Sequence, residues 1–362
     1  MYLARFFRVR GVDPVAQVVF DRSTRKPGTR RAAIALDRLA GSSSIASIVH
    51  SNDNVPAASV QGRAASSILR SILKSLAEDR SSARDCRLYQ AAVDLFYAIE
   101  AGTEPHQSRQ VMATAFHVVA AGQHANAWID YGRCLWNGWG VRQDRDQALV
   151  AYKNAAELGS NDGAYHAAFS LYCSCKNDEE AHAWAIKALQ GDDTDGAVRY
   201  LLGLMAYHGR GRAKDATESL RLHHEAAKRG NADALFELFL FAVHGIGDEK
   251  RAIYYLKEAA MRDQPRACAN LGALYAIGAS QALSASKGQT DKIDRDLSEA
   301  IKWYTRAADL GAGEAAASLG VMALRGEGMP NDPKVAKEFL RRAEELGFDV
   351  DAFLRLSGLD RP

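Results

Sequence analysis

Proline is scarce in this chain, with 8 among 362 residues, so long stretches lack the residue that most often breaks a helix. Cysteine is scarcer still. The five cysteines, at 86, 134, 173, 175 and 268, are odd in number and show no paired C-x-x-C spacing, which speaks against a zinc framework. Free thiols in a reducing compartment are the expectation, and with them a cytoplasmic location. Long apolar runs are missing too: none approaches the roughly 18 residues of a membrane span. The start, MYLARFFRVRG, carries arginines at 5, 8 and 10, so no uninterrupted apolar core of a signal peptide follows it. Asp13, Asp21 and Asp37 speak against an arginine-rich transit peptide, since such peptides avoid acids.

Chemistry is equally hard to find. The ten histidines form no H-E-x-x-H or other metal-ligand spacing, and no G-x-S-x-G elbow occurs. His223 and His224 are adjacent and point to different sides of a helix, while Cys173 and Cys175, two apart, would not face one site on a helix. No catalytic residue, metal or cofactor is assigned.

Alanine, in contrast, is abundant from about residue 85 onward, which favours helix. Charge is uneven. Residues 1–85 hold 14 Lys/Arg against 7 Asp/Glu, a net of +7, and the remainder holds 32 against 37, a net of −5. A basic head on a mildly acidic body suggests two physical regions.

The body repeats. Counting from Ala127 as zero, Gly132 falls at +5, Gly138 and Gly140 at +11 and +13, Asp144 at +17, Ala155-Ala156 at +28 and +29, and Gly159 at +32. Counting from Val198 places Gly203, Gly209, Gly211, Asp215, Ala226-Ala227 and Gly230 at the same offsets without a gap. Ala315 does so again with Gly320, Gly326, Gly328, Asp332, Ala343 and Gly347. Copies from Ala164, Ala234 and Ala267 need length changes, a weaker one precedes around Gln90 to Gly122, and a half copy follows Asp351. The spacings between starts are 37, 37, 34, 36, 33, 48 and 36 residues, a period that marks a helical solenoid.

Each unit reads as a hairpin of two helices. Apolar positions at 0, +4 and +8 stripe the first helix and those near +21, +25 and +28 the second. The glycine at +5 lets another helix approach closely, the pair at +11 and +13 turns the chain, and the one at +32 ends the second helix. A dinucleotide or phosphate loop needs a strand before its glycines; here helix stands on both sides, so the G-x-G is a turn.

The order A-x-x-x-L-G-x-x-Y-x-x-G-x-G-V-x-x-D, followed by A-x-x-W-Y-x-x-A-A-x-x-G, resembles the Sel-one-like repeat, a longer-turned relative of the tetratricopeptide repeat. Leu271-Gly272-Ala273-Leu274-Tyr275 with Trp303-Tyr304 and Ala307-Ala308 carries the resemblance, as does Gly138-Trp139-Gly140-Val141 with Asp144. It covers about 126–347 closely and 86–125 loosely. The resemblance implies an all-α fold, an α/α superhelical solenoid that binds proteins or peptides, often as an adaptor in bacterial signalling, envelope assembly, secretion or host interaction. A cysteine-rich branch of that family bridges the two helices of a unit; Cys134 and Cys268 have no such partner cysteine in their units.

In helical-hairpin solenoids the first helices line the concave surface. Offsets +2, +3, +6, +9 and +10 lie off the core side of the helical wheel, and they hold the candidate partner-binding residues. These are Arg133, Trp136 and Asn137, then Tyr200, Leu204, Tyr207 and His208, then Phe236, Leu240 and His244. Aromatic rings and arginine are the side chains that anchor interfaces; packing against the next unit's first helix is the competing use of these positions.

Three regions follow. Residues 1–62, with SSSIASIVHSNDNVPAASVQG running into the next region, read as a basic, partly disordered N-terminal region. Residues 63–85 read as an amphipathic helix, with Ile68, Leu69, Ile72, Leu73 and Leu76 on one side and Arg70 and Lys74 on the other. It either caps the solenoid end or docks on a membrane surface or partner. The short basic run RKPGTRR at 25–31 is a weak nucleic-acid or lipid signal. Residues 86–362 read as about seven repeat units plus a terminal half repeat, with a polar insertion at about 280–296. The leading functional expectation is a non-enzymatic scaffold or adaptor for a protein or peptide. A secreted, host-directed effector exported by a signal-peptide-independent route is the second, and a hydrolase with its active site in the groove is the third.

Overall fold

A computed structural model describes positions 68, 71, 72, 74–76, 78, 81–102, 108–191, 193–246, 248–278, 293–359 and 361. The N-terminal region of 1–62, its basic run at 25–31, Leu69 and Leu73 of the amphipathic stripe, Gly247 and most of the insertion at 280–296 lie outside the described residues.

Among the described residues the chain is helical throughout and holds no strand. The helices pair as hairpins: α1 Ser82–Glu100 with α2 Arg109–Ala120, α3 Ala125–Asn137 with α4 Arg145–Glu157, and α5 Asn161–Ser174 with α6 Asp178–Leu189. Next come α7 Ala197–His208 with α8 Ala216–Lys228, and α9 Ala232–Phe241, prolonged by a π-helical turn Ala242–Ile246, with α10 Glu249–Met261. Then α11 Pro265–Ile277 pairs with α12 Leu297–Asp309 and α13 Gly313–Arg325 with α14 Pro333–Glu345, and α15 Val350–Leu356 closes the series. The described residues thus form seven helical hairpins and one closing helix. The described chain divides into two compact units. One ends near residue 191 and includes Arg210–Arg212; the other holds Asp193–Gly209 and everything from Ala213 onward.

The repeat positions explain the hairpins. Three first helices end on glycines in the left-handed region, Gly138, Gly209 and Gly326, where a side chain would be strained. Five of the seven second helices begin at an aspartate whose side chain accepts backbone N–H groups, Asp144, Asp215, Asp248, Asp296 and Asp332. An N-cap of this kind satisfies donors that the first turn leaves without partners. In the α5–α6 turn Cys175 takes the left-handed C-cap place that glycine holds elsewhere, with φ 53°.

Two glycines of the repeat serve close packing. A Cβ on Gly132 would lie 2.5 Å from Cε1 of Tyr152, on α4, and one on Gly203 would lie 2.7 Å from Cε1 of His223, on α8. The +5 glycine is thus the floor under a large side chain of the second helix, rather than a general thinning of the helix surface. The second turn glycine does more than turn the chain. Gly140, at φ 71°, sits against the backbone of Arg109, at the start of α2 in the preceding hairpin. A side chain there would push the two hairpins apart.

In the N-terminal unit one apolar cluster joins Ile72 and Leu76 to Leu88 and Leu95 of α1, Phe116 and Val119 of α2, and Ile129 and Leu135 of α3. Arg84 ties the short helix to α1, donating to the carbonyls of Ser75 at 2.8 Å and Leu76 at 3.4 Å. Ile72 and Leu76 are themselves buried. In the C-terminal unit the core runs from Leu235 and Phe239 through Leu256, Leu271 and Tyr304 to Leu319, Leu340 and Leu354.

Candidate functional site

Helix α3 is the second of three first helices, α1, α3 and α5, that meet along one face of the N-terminal unit. Asp130 of α3 accepts from the Tyr89 hydroxyl of α1 at 2.8 Å and from Nη1 of Arg133 at 3.0 Å. Nη2 of Arg133 meets Nε2 of His166, on α5, at 3.1 Å. A guanidinium has only donors, so Nε2 is the acceptor and the ring proton is on Nδ1. Burial, then the Arg133 charge, holds the imidazole of His166 down to about 3, so it is neutral at physiological pH. Its ring stacks on Tyr152 with centroids 5.0 Å apart. Burial, then Asp130, raises the Tyr89 phenol above its usual range, and its ring lies 4.6 Å from that of His124.

The chain of contacts Tyr89–Asp130–Arg133–His166 fixes one arginine fork. The Arg133 side chain nevertheless remains 48% exposed, while Asp130 is 18% exposed. One turn further along α3, half-buried Trp136 carries the Arg145 guanidinium 5.0 Å above its ring. The side chain of Gln143 donates to the Trp136 carbonyl at 2.8 Å, and that of Asn137 donates to the Arg133 carbonyl at 2.9 Å. Beside Trp136 opens a basin of about 470 Å³ lined by Arg142, Gln143, Asp144, Arg145, Asp146, Ser174 and Lys176.

In the C-terminal unit the expected residues divide. Tyr207 is exposed, edge-on to Phe241 at 5.2 Å, with the Lys214 ammonium 5.5 Å from its ring centroid. His208 is half-buried and meets Tyr207 edge-on at 5.0 Å. Leu240 is half-buried against the core, and His244 is exposed on the π-helical turn. Tyr200, Leu204 and Phe236 are buried and do not offer a surface to a partner. Phe236 packs against Phe239 at 5.5 Å and lies under the Arg266 guanidinium at 4.8 Å, while Tyr200 lies 5.7 Å from His223. The wheel of a single helix marks them as facing away from their own hairpin, yet Tyr200 lies against the second helix of its own hairpin and Phe236 against its own helix and Arg266.

Tyr89, Asp130, His166 and Arg145 complete the arrangement and were not among the expected residues. Their link spans 41 residues from Tyr89 to Asp130 and 33 from Arg133 to His166, about one repeat each. That spacing of about one repeat is the signal the sequence offered.

Three of the five cysteines are held as thiols. Burial pushes the thiols of Cys134 and Cys173 up to about 12 and that of Cys268 up to about 11, and reactivity needs the thiolate. Among the described residues no group of three His, Cys, Asp or Glu side chains is placed to hold a metal ion, and no helix is long and apolar enough to cross a membrane.

Comparison with known proteins gives one family. The model of the Sel1 repeat matches residues 127–160, 176–193, 197–231, 232–264, 265–311 and 313–348. Hairpin α1–α2 precedes the first match. Among curated proteins, chitin synthase regulatory factor 3 of Schizosaccharomyces pombe is 26% identical over 227 residues, covering 59% of this chain. The match takes in only 23% of that protein's length. Among solved structures, a Sel1 repeat protein from Oxalobacter formigenes is 23% identical with a TM-score of 0.53, covering 71% of this chain and 99% of its own; that likeness is one of fold. A protective antigen present in uropathogenic Escherichia coli strains, displaying an SLR fold, is 19% identical with a TM-score of 0.41, covering 83% of this chain and 73% of its own.

Proposed function

The chain belongs to the Sel1 repeat family, whose members are generally protein-interaction scaffolds, and from that premise we propose that it binds a protein or peptide partner on the first-helix face of its N-terminal unit. One observation carries this reading. Arg133 is held at two of its nitrogens by Asp130 and His166 yet stays half exposed, next to Trp136 on the same helix. An arginine fixed in advance loses little conformational entropy on binding, and arginine and tryptophan are the residues most enriched at interface hot spots.

The role is holding, not chemistry. The fission-yeast relative is named as a regulatory factor, and that name supports an adaptor or regulatory role. The five cysteines, none of them disulfide-bonded, suit a reducing, cytoplasmic setting.

The test is affinity capture from the native cell with the full chain and with Trp136→Ala, after circular dichroism has shown the variant to be as helical as the parent. Loss of a specific partner in the folded variant supports this face. Capture unchanged by Trp136→Ala and by Arg133→Met together moves the binding surface elsewhere.

A further inference from the structure

We propose that the surface formed by Arg133, Trp136 and Arg145 recognises an acidic segment of its partner, a stretch of extended peptide carrying Asp or Glu side chains. This rests on the reading that the partner binds this face, and it adds the chemistry of what is bound.

The arginine fork comes first. Two of the five N–H groups of Arg133 are committed, to Asp130 and His166, which leaves three donors in a fixed plane. Planar guanidinium donors match a carboxylate in a way an ammonium does not. The nearest acid does not compete for that role, because Asp130 is largely covered and already accepts from Tyr89 and Arg133. A basic segment would meet the fork head-on and find that acid covered and occupied.

The basin next to it has the same sign, since Arg142, Arg145 and Lys176 stand against Asp144 and Asp146 in its lining. Of its two carboxylates, Asp144 accepts the backbone N–H groups of Asp146 at 3.1 Å and Gln147 at 3.0 Å. Asp146 is paired with Lys176. Arg142 is exposed and forms no ion pair among the described residues, and the Arg145 guanidinium lies over Trp136, 5.0 Å from the ring centroid. Both acids are therefore engaged within the basin, while cationic groups edge it. Arg133 and Trp136 are one helical turn apart, about 5 Å along the axis. Alternate side chains on one side of an extended peptide recur at about 6.6 Å, so one extended segment presents successive acids to this face.

Selection of 12-residue peptides from a random displayed library on the full chain tests this. The expected result is peptides enriched in Asp and Glu. The best of them should bind Arg133→Met and Arg145→Met about tenfold or more weakly, and should weaken as salt rises from 50 to 300 mM. Arg133→Lys should recover only part of the loss, because charge is kept and the fork is not. Arg142→Met and Arg145→Met change the rim of the basin, so they keep the test open where Arg133→Met does not fold.

The outcomes separate the two readings. Peptides without acid enrichment that still lose affinity on Trp136→Ala overturn the acidic-segment proposal and leave the face standing. Peptides indifferent to all these substitutions, or no selected peptide at all, count against the face itself. A 12-nucleotide single-stranded DNA that outcompetes the selected peptides in the same arginine-dependent way overturns the proposal in favour of a phosphate ligand.

Discussion

A single glycine illustrates how tightly the hairpins are specified. Gly132 is buried under the Tyr152 ring, with space for a hydrogen and none for a methyl. The Tyr152 side chain is itself buried, so the ring cannot simply swing away. Gly132→Ala is expected to cost about 1–3 kcal/mol, the usual range for overpacking a core, read as a lower midpoint in urea with an unchanged slope. The equivalent slot above Gly203 holds His223, and above Gly320 it holds Leu340. His223 is completely buried, and neither ring nitrogen has a hydrogen-bond partner among the described residues. Burial, then His224 and His208, holds its imidazole down to about 3. Between the unfolded value near 6.5 and that folded value, the unfolded chain takes up a proton that the native chain does not. Stability from this group is thus complete above about pH 6.5 and falls as the solution is acidified toward pH 3. His223→Leu puts into the slot the side chain that the α13–α14 hairpin already uses. It should raise stability by about 1–3 kcal/mol at pH 7.5 by removing two unsatisfied nitrogens, and the gain should widen at pH 5. Thermal melts at the two pH values check this, and a variant no less acid-sensitive than the parent contradicts it.

At the scale of the helix, the aspartate at +17 does the same job in successive hairpins. Asp215 accepts from the backbone of Glu218 at 2.9 Å, as Asp144, Asp296 and Asp332 accept at their own helix starts. Asp215→Ala is expected to cost about 1 kcal/mol, with Asp215→Asn recovering most of it; equal losses in the two variants would point to charge rather than capping. Cations near the ends of second helices add a second regularity. Arg342 donates to the Ala308 carbonyl at 3.1 Å and Lys187 to that of Ala156 at 3.3 Å, each reaching the carbonyl end of the preceding second helix, where positive charge is favoured. The glycines, the capping aspartates and the paired alanines made the hairpins legible in the sequence, because each is required by backbone geometry or close packing within one unit. The face was only partly legible. Helical spacing located Arg133, Trp136 and Tyr207 on the outer side of their helices, and the structure leaves Arg133 and Tyr207 exposed and Trp136 half-buried. The same spacing marked Tyr200, Leu204 and Phe236, which are buried, since one helix's pattern carries no information about what closes over it. The contacts to Tyr89 and His166 cross from one hairpin to the next, and only the folded stack brings them together.

For the N-terminal unit as a whole, the segment holding Ile72 and Leu76 and the candidate face are one mechanical problem. Ile72 and Leu76 share an apolar cluster with Leu88 and Leu95, and Arg84 holds the carbonyls of Ser75 and Leu76. A chain beginning at Ser81 loses those partners, leaving α1 with newly exposed apolar surface and Arg84 without its two carbonyl acceptors. In a stack of repeats each hairpin depends mainly on its neighbours. Hydrogen exchange should therefore speed up in α1 and α2 and change little in α5 and α6. Loss of protection spread evenly over all six helices would mean that the unit opens as one body. The shortened chain also tests the face, because Tyr89 on α1 is one of the two groups that hold Asp130, and Asp130 in turn holds Arg133. A frayed α1 leaves the fork less fixed, and a less fixed fork gives up entropy on binding that the intact chain does not. Partner affinity should therefore fall in the shortened chain although no residue of α3 has changed, and Tyr89→Phe, which removes only the hydroxyl, should reproduce part of that fall in the full chain. A shortened chain that frays at α1 yet binds as tightly as the parent would show that Asp130 and His166 are enough to hold Arg133 in place.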